Sequence, residues 1–187
     1  MIDSFFPTLI YRNNLGPLAN NEALYQKALE VRKTKNPTII WDSGVYNSLC
    51  SVDIRDDPLV RDLITMCKVC IHEYITEIKG LNYKEIQCRD CWFNIYEKGD
   101  YQEIHSHAES HISAVYYVRV PPNSGDIIFT NPTHLTTSMP IDDNGSIKYT
   151  PGNSDILIFK SNLAHRVSRS QSDELRVSIA LNFLFIK

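Results

Sequence analysis

No run of about 18 apolar residues, the length a membrane-spanning helix needs, occurs in this 187-residue chain. No cationic leader precedes a hydrophobic segment either, which argues against a secretory signal. With its Met-Ile-Asp start, the chain is expected to be cytoplasmic. Basic residues form no stripe: 19 Lys and Arg are scattered among 22 Asp and Glu, for a net charge of -3. Such a distribution is poor at neutralising phosphates, so neither nucleic acid nor a membrane is an expected partner. Low-complexity tracts and internal repeats are missing, and Ser43 and Cys50 have no base at a spacing that suggests a nucleophilic triad. What remains is ordinary globular composition, 43% apolar and 22% charged, at a length that fits one domain over residues 1–187.

Five cysteines need separate treatment. Cys67-x-x-Cys70 and Cys88-x-x-Cys91 lie 17 residues apart, a spacing seen in four-cysteine zinc sites. Their contexts oppose that reading. The first pair falls inside DLITMCKVCIHEYI, a helical pattern without a knuckle glycine, and the second in a strand pattern, where an odd separation sends side chains to opposite faces. Reduced, packed thiols are expected, and Cys50 has no assigned role.

The first part of the chain reads as helical support over about residues 15–80. A short strand is expected over Phe5–Tyr11 and a helix from Leu18 to about Lys33. Asp57-Pro58 supplies an N-cap and a first-turn proline for a second helix. Its apolar stripe runs through Leu59, Leu63, Cys67, Cys70, Tyr74 and Ile78 and is widened by Val60, Ile64, Val69 and Ile71; Gly80 ends it. From about residue 86 to 187 the pattern changes to strands: Ile86–Tyr96, Ile112–Val120, Asp126–Thr130, Ser154–Lys160 and Arg176–Phe185, separated by Gly, Pro, Asn and Asp. Helices followed by many short strands predict a mainly β barrel or sandwich buttressed on one side.

The stretch EIHSHAESHISAVYY puts three of the chain's six histidines just before an aromatic strand. On an extended chain His105 and His107 point the same way, so both can approach one ion if a third ligand arrives from elsewhere. His165, between two strand candidates, is the natural third. Glu109 offers a second register, in which His107, Glu109 and His165 make a two-histidine, one-carboxylate set. The competing reading is a polar surface loop; His72 and His134 have no assigned role. Arg176 opens the last strand with Ser178 on its own face. A guanidinium beside a hydroxyl makes a clamp for a carboxylate, and an inward Arg calls for an anionic ligand.

Taken together, HSH, His165 and RVS resemble the iron(II)- and 2-oxoglutarate-dependent oxygenases. More specifically, the runs WFNIYEKGDYQEIHSHAESHISAVYYVRVPPNSGDIIF, PGNSDILIFKSNLAHRVSRS and ELRVSIALNF look like a group of small 2-oxoglutarate oxygenases, over about half the chain. Ala108 and Ala114 depart from that group's usual proline and glycine. The resemblance implies a double-stranded β-helix (jelly-roll) barrel over about 86–187. It further implies Fe(II) on His105, His107 and His165, with Glu109 as the alternative ligand, and 2-oxoglutarate held by Arg176 and Ser178, with Asn94 and Tyr116 facing the same pocket. The implied reaction oxidises, by hydroxylation, an unidentified primary substrate while 2-oxoglutarate becomes succinate and CO2. A second copy of the chain, as a homodimer, is the one macromolecular partner kept open. Trp41–Asn47 and Thr133–Asp143 are expected to cover the site. Two rivals stay on the page: a cupin-like metalloprotein, since Gly99 precedes HSH at the cupin spacing, and a non-catalytic β-sandwich.

Overall fold

A computed structural model describes residues 7–78, 82–132 and 145–187. The expected Gly80 stop, Phe5 and Phe6 of the expected Phe5–Tyr11 strand and the expected cover over Thr133–Asp143 lie outside those residues; the strand itself starts later than expected, at Ile10. The described elements are β1 (Ile10–Asn14), a 3-10 turn (Gly16–Leu18), α1 (Asn21–Thr34), β2 (Tyr46–Asn47), α2 (Pro58–Thr76), β3 (Glu85–Tyr96), β4 (Gln102–His105), β5 (Ile112–Arg119), β6 (Ile127–Thr130), β7 (Ser146–Tyr149), β8 (Asp155–Lys160), β9 (His165–Val167) and β10 (Arg176–Ile186).

The local signals explain the helices. Asn20 caps α1 by accepting from the Ala23 amide at 3.1 Å. Asp57 caps α2 by accepting from the Leu59 amide at 3.0 Å, with Pro58 in the first turn. Such a cap contributes about 1 kcal/mol. α2 buries Val60, Leu63, Ile64, Cys67, Cys70, Ile71, Tyr74 and Ile75, whereas Val69 stays exposed. Those side chains fill the main core together with Phe93, Ile95, Tyr116, Val177, Ile179, Leu181 and Phe183 from the sheet. Truncating a residue as enclosed as Leu63 to Ala is expected to cost about 2–5 kcal/mol.

Among the described residues ten strands form two antiparallel sheets, in the orders β1-β8-β5-β10-β3-β2 and β4-β9-β6-β7. The helices cover one face of the larger sheet. Its other face meets the smaller sheet through two clusters, Tyr117, Ile127, Phe129, Leu157, Phe159 and Leu163 in one, and Val45, Tyr96 and Val167 in the other. The expected closed barrel is therefore corrected: among the described residues no ladder joins the two sheets. Closure needs a continuous hydrogen-bonded ring of strands. Here β2 has two residues that pair only with β3, and β4 has four that pair only with β9. The cavity lies between the sheets rather than inside a closed ring.

Central β10 decides what its less apolar face does. Val177, Ile179, Leu181 and Phe183 face the helices. Arg176, Ser178 and Ala180 line the space between the sheets. A register shift in the β3–β10 ladder pairs Asn182 with Asp90 but Phe183 with Cys88, leaving Arg89 as the extra residue of a bulge. This corrects the cysteine geometry. The bulge cancels the odd separation, so partly buried Cys88 and buried Cys91 both pack against the helix-side core. All five cysteines are free, and burial pushes the Cys88 thiol up to about 12.

Candidate metal centre and cosubstrate pocket

His105 ends β4, His165 begins β9, and the two are directly paired across the ladder. His107 sits in the loop after β4, where its amide donates to the Ser161 carbonyl at 2.7 Å and its own carbonyl accepts from the Ser110 amide at 3.1 Å. The three imidazoles converge: their potential ligand atoms all lie within 4.8 Å of one another. Ring centroids are 4.3 Å apart for His105 and His165, 5.2 Å for His105 and His107, and 5.4 Å for His107 and His165.

Hydrogen bonds fix the tautomers of two of these rings. Nδ1 of His105 meets the Glu103 carbonyl at 2.7 Å, and Nδ1 of His165 meets the Leu163 carbonyl at 2.9 Å. A carbonyl only accepts, so each Nδ1 carries the proton and each Nε2 keeps its lone pair. Burial keeps the rings neutral. It lowers the His105 pKa from 6.5, takes His107 to about 4 with help from His105, and takes His165 to about 3 with help from His105 and His107. Aromatic side chains wall the cluster: Trp41 lies 4.6 Å from His105, Trp92 5.7 Å from His107 and Phe159 4.8 Å from His165. Three neutral, desolvated imidazoles suit a borderline divalent cation such as iron, zinc or nickel.

The cluster opens into a cavity of about 200 Å³ that also reaches Arg176, Ser178, Asn94 and Tyr117. Arg176 is only 1% exposed, although it carries a permanent charge. Its Nη1 donates to the carbonyls of Ser124 (3.1 Å) and Gly125 (2.6 Å), and its guanidinium lies over Tyr96 (4.9 Å) and Tyr117 (5.3 Å). No carboxylate faces it among the described lining residues. Among the described residues, its Nε and the Tyr117 hydroxyl are buried without hydrogen-bond partners. Gly125 makes the arrangement feasible: at φ +97° a Cβ there would stand 2.4 Å from the Ser168 carbonyl oxygen and 3.2 Å from Arg176 Nη1.

Asn94 lines the cavity and is locked in place. Its Oδ1 accepts from Asn47 Nδ2 (3.1 Å) and Gln102 Nε2 (3.3 Å), and Gln102 Oε1 accepts from the Tyr96 hydroxyl at 2.8 Å. Two expected residues are placed elsewhere. Tyr116 faces the helices and donates to Asn21 Oδ1 at 2.5 Å. Glu109 has a side chain 80% exposed and forms an ion pair with Arg89. Of the expected cover, Trp41 lines the cavity, whereas Tyr46 is buried in the helix-side core. Tyr117, Trp92, Asn47 and Gln102 were not singled out by sequence. Trp92 shares strand parity with Asn94 on β3, a signal that could have found it; Tyr117 is placed by its pairing opposite Ser178, which the sequence does not show, and Asn47 and Gln102 carry no signal. His72 and His111 have structural partners, the Tyr83 hydroxyl at 2.7 Å and the Phe185 amide at 2.9 Å.

Comparison with known proteins agrees with this chemistry. A family model described as "Putative 2OG-Fe(II) oxygenase" matches residues 90–182, the span that holds all three histidines and the Arg176–Ser178 pair. No curated protein sequence matches the chain. Among solved structures, a prolyl-4-hydroxylase from Pseudomonas putida aligns with a TM-score of 0.64 at 15% identity, covering 96% of this chain and 94% of that one. HygX from Streptomyces hygroscopicus, solved with nickel and 2-oxoglutarate bound, aligns with a TM-score of 0.65 at 9% identity over 94% and 82%. A Trichoplax adhaerens prolyl hydroxylase, in complex with a peptide fragment, aligns with 0.63 at 16% over 94% and 83%. At such identities these structures speak for the fold. Together with the family match and the converging imidazoles, they identify the chain as a member of the 2-oxoglutarate- and Fe(II)-dependent oxygenase superfamily.

Proposed function

We propose that this protein hydroxylates an unidentified primary substrate, using Fe(II) held by His105, His107 and His165 and 2-oxoglutarate anchored by Arg176. The observation that carries the reading is a buried guanidinium with no acid among the described residues lining its cavity, which it shares with three converging neutral imidazoles. A buried charge of that kind is costly unless a ligand compensates it, and a dicarboxylate does so. The unpartnered Tyr117 hydroxyl and Arg176 Nε supply donors on that side, and Ser178 adds a hydroxyl. The chain's residues thus fit both the metal and the keto acid.

When bound, iron and 2-oxoglutarate would supply the oxidising chemistry, with dioxygen consumed and succinate and CO2 released. The protein's part is to hold and orient. Glu103 and Leu163 carbonyls fix the Nδ1 protons so that Nε2 of His105 and His165 can ligate. Three side-chain ligands leave coordination positions for small molecules. The Ser124 and Gly125 carbonyls hold Arg176 by Nη1, so the anchor is set before a ligand arrives. Trp41, Trp92 and Phe159 keep bulk water from the imidazoles. No side-chain nucleophile or acid is required.

The finer parts of the reading follow the same logic. Residues 1–187 act as one unit, with the helices as support for the sheets. Five free thiols fit a reducing, cytoplasmic setting. No described helix is long and apolar enough to cross a membrane.

Anaerobic Fe(II)-loaded protein should develop the visible charge-transfer band of a chelated keto acid when 2-oxoglutarate is titrated in. Iron that binds without producing the band would overturn the cosubstrate assignment and favour a cupin-like chemistry. Failure to bind iron would leave the histidines as a polar cluster only.

A further inference from the structure

His107 is the least constrained of the three imidazoles. His105 and His165 each have Nδ1 held by a carbonyl and their backbones paired in a ladder. The His107 ring has no hydrogen bond among the described residues, and its backbone belongs to no strand. Its position therefore depends on what holds the loop from Ser106 to His111. The loop's two ends are pinned, the first by the His107 amide to the Ser161 carbonyl and the second by the His111 amide to the Phe183 carbonyl at 3.0 Å. The crest of the loop is held by one side chain from another strand. Arg89 Nη1 donates to the Glu109 main-chain carbonyl at 2.6 Å, and Nη2 pairs with the Glu109 carboxylate.

The bulge in β3 makes that grip possible. Along β3, Cys91, Phe93 and Ile95 face the helix-side core. Strict alternation would send Arg89 the same way, into apolar packing. As the extra residue between Cys88 and Asp90, it instead turns to the loop, with Nε 3.7 Å from the Asp90 carboxylate. Arg89, Asp90 and the loop residues Ser106, His107 and Glu109 line one open cavity beside the metal centre.

We propose that Arg89 is a positioning residue for the metal centre. Its fork, gripping both the backbone and the side chain of Glu109, holds the loop so that His107 meets the ion that His105 and His165 share. Glu109 thus serves the site from outside the coordination sphere, as the handle by which Arg89 holds the loop. This inference rests on the proposed metal-binding role of the three histidines.

Cobalt(II) tests it without turnover, because its d–d absorption reports ligand number and geometry. Titration of Co(II) into wild type, Arg89→Ala, Arg89→Lys and Glu109→Gln should give a weakening of about ten-fold or more for Arg89→Ala, in the range known for residues that orient metal ligands. The d–d bands should shift as His107 loosens. Arg89→Lys, which keeps the charge but not the fork, should recover only part of the affinity, and Glu109→Gln, which leaves the main-chain grip, most of it. Thermal unfolding of the metal-free proteins separates folding from positioning. Equal affinity and an unchanged spectrum in Arg89→Ala, whatever its melting temperature, would overturn the proposal. A wild type that takes up no Co(II) overturns the metal-site reading itself, and this inference with it.

Discussion

Tyr117 lies with its ring 5.3 Å from the Arg176 guanidinium and its hydroxyl buried without a partner among the described residues, while the adjacent Tyr116 points through the opposite face of β5 to Asn21. The pairing of β5 with β10 places Tyr117 opposite Ser178 and Tyr116 opposite Ile179. Two neighbouring phenols thereby face opposite sides of the sheet, one the cavity of Arg176 and the other the helices.

That division can be measured. Tyr117→Phe should weaken 2-oxoglutarate binding by roughly ten-fold, the worth of a hydrogen bond to a charged group. Tyr116→Phe should leave that affinity alone and lower stability by about 1 kcal/mol through the lost bond to Asn21. Calorimetric titration of both variants decides the matter; equal affinities would remove Tyr117 from the pocket.

Arg176→Ala is expected to separate the two ligands. Loss of the buried cation should reduce 2-oxoglutarate affinity about a hundred-fold, as for other desolvated charge pairs, and change metal affinity by no more than about two-fold. Arg176→Lys should rescue little, because a lysine cannot reproduce both the carbonyl grip and the fork. An equal fall in both affinities, in a variant that is still folded, would sink the anchor assignment.

Gly125→Ala probes the cradle of that arginine. The added Cβ collides with the Ser168 carbonyl in a backbone conformation that L residues rarely adopt. Strain of this type costs about 1–3 kcal/mol, read as a lower urea midpoint. Because the Gly125 carbonyl holds Arg176, 2-oxoglutarate affinity should fall as well. Lower stability with intact cosubstrate binding would show that Arg176 holds its place without Gly125.

The pH dependence follows from the imidazoles. Their folded pKa values are depressed by burial, to about 4 for His107 and about 3 for His165, against 6.5 in an open chain. Below 6.5 the unfolded chain therefore binds more protons than the folded one, and stability is lost as pH falls. In the metal-free protein this contribution should be complete above pH 6.5 and decline progressively towards pH 3. Urea midpoints measured from neutral to acidic pH should show it, and His165→Asn should flatten the slope. A variant slope parallel to wild type would trace the acid sensitivity to other groups.

Much of this was legible in the sequence. Asp57-Pro58 marks the start of α2, and HSH, His165 and Arg176–Ser178, which the fold gathers around one cavity, stand out because such residue types at short spacing are local signals. The long strands β3, β5, β8 and β10 appear as apolar alternation. What stayed hidden depends on distant pairing. β4 and β9 are four and three residues long, too short for a period to show, though they carry His105 and His165. Whether Tyr116 or Tyr117 faces inward depends on register against β10. Whether Arg89 is buried or turned outward depends on one bulge. Alternation left barrel and sandwich open, since it says which face is apolar and nothing about which edges meet; the barrel came from the family resemblance, and the strand pairing overturns it.

The fixed charge of the cavity has a kinetic consequence. Its described lining holds one permanent cation, Arg176, three imidazoles that can carry a divalent ion, and no carboxylate. A small dianion approaching this cavity meets an attractive potential focused by the surrounding apolar walls. Encounter should therefore be fast and should slow as ionic strength rises, while escape, governed by contacts inside the low-dielectric cleft, should respond much less. The salt sensitivity of 2-oxoglutarate affinity would then reside in its association rate.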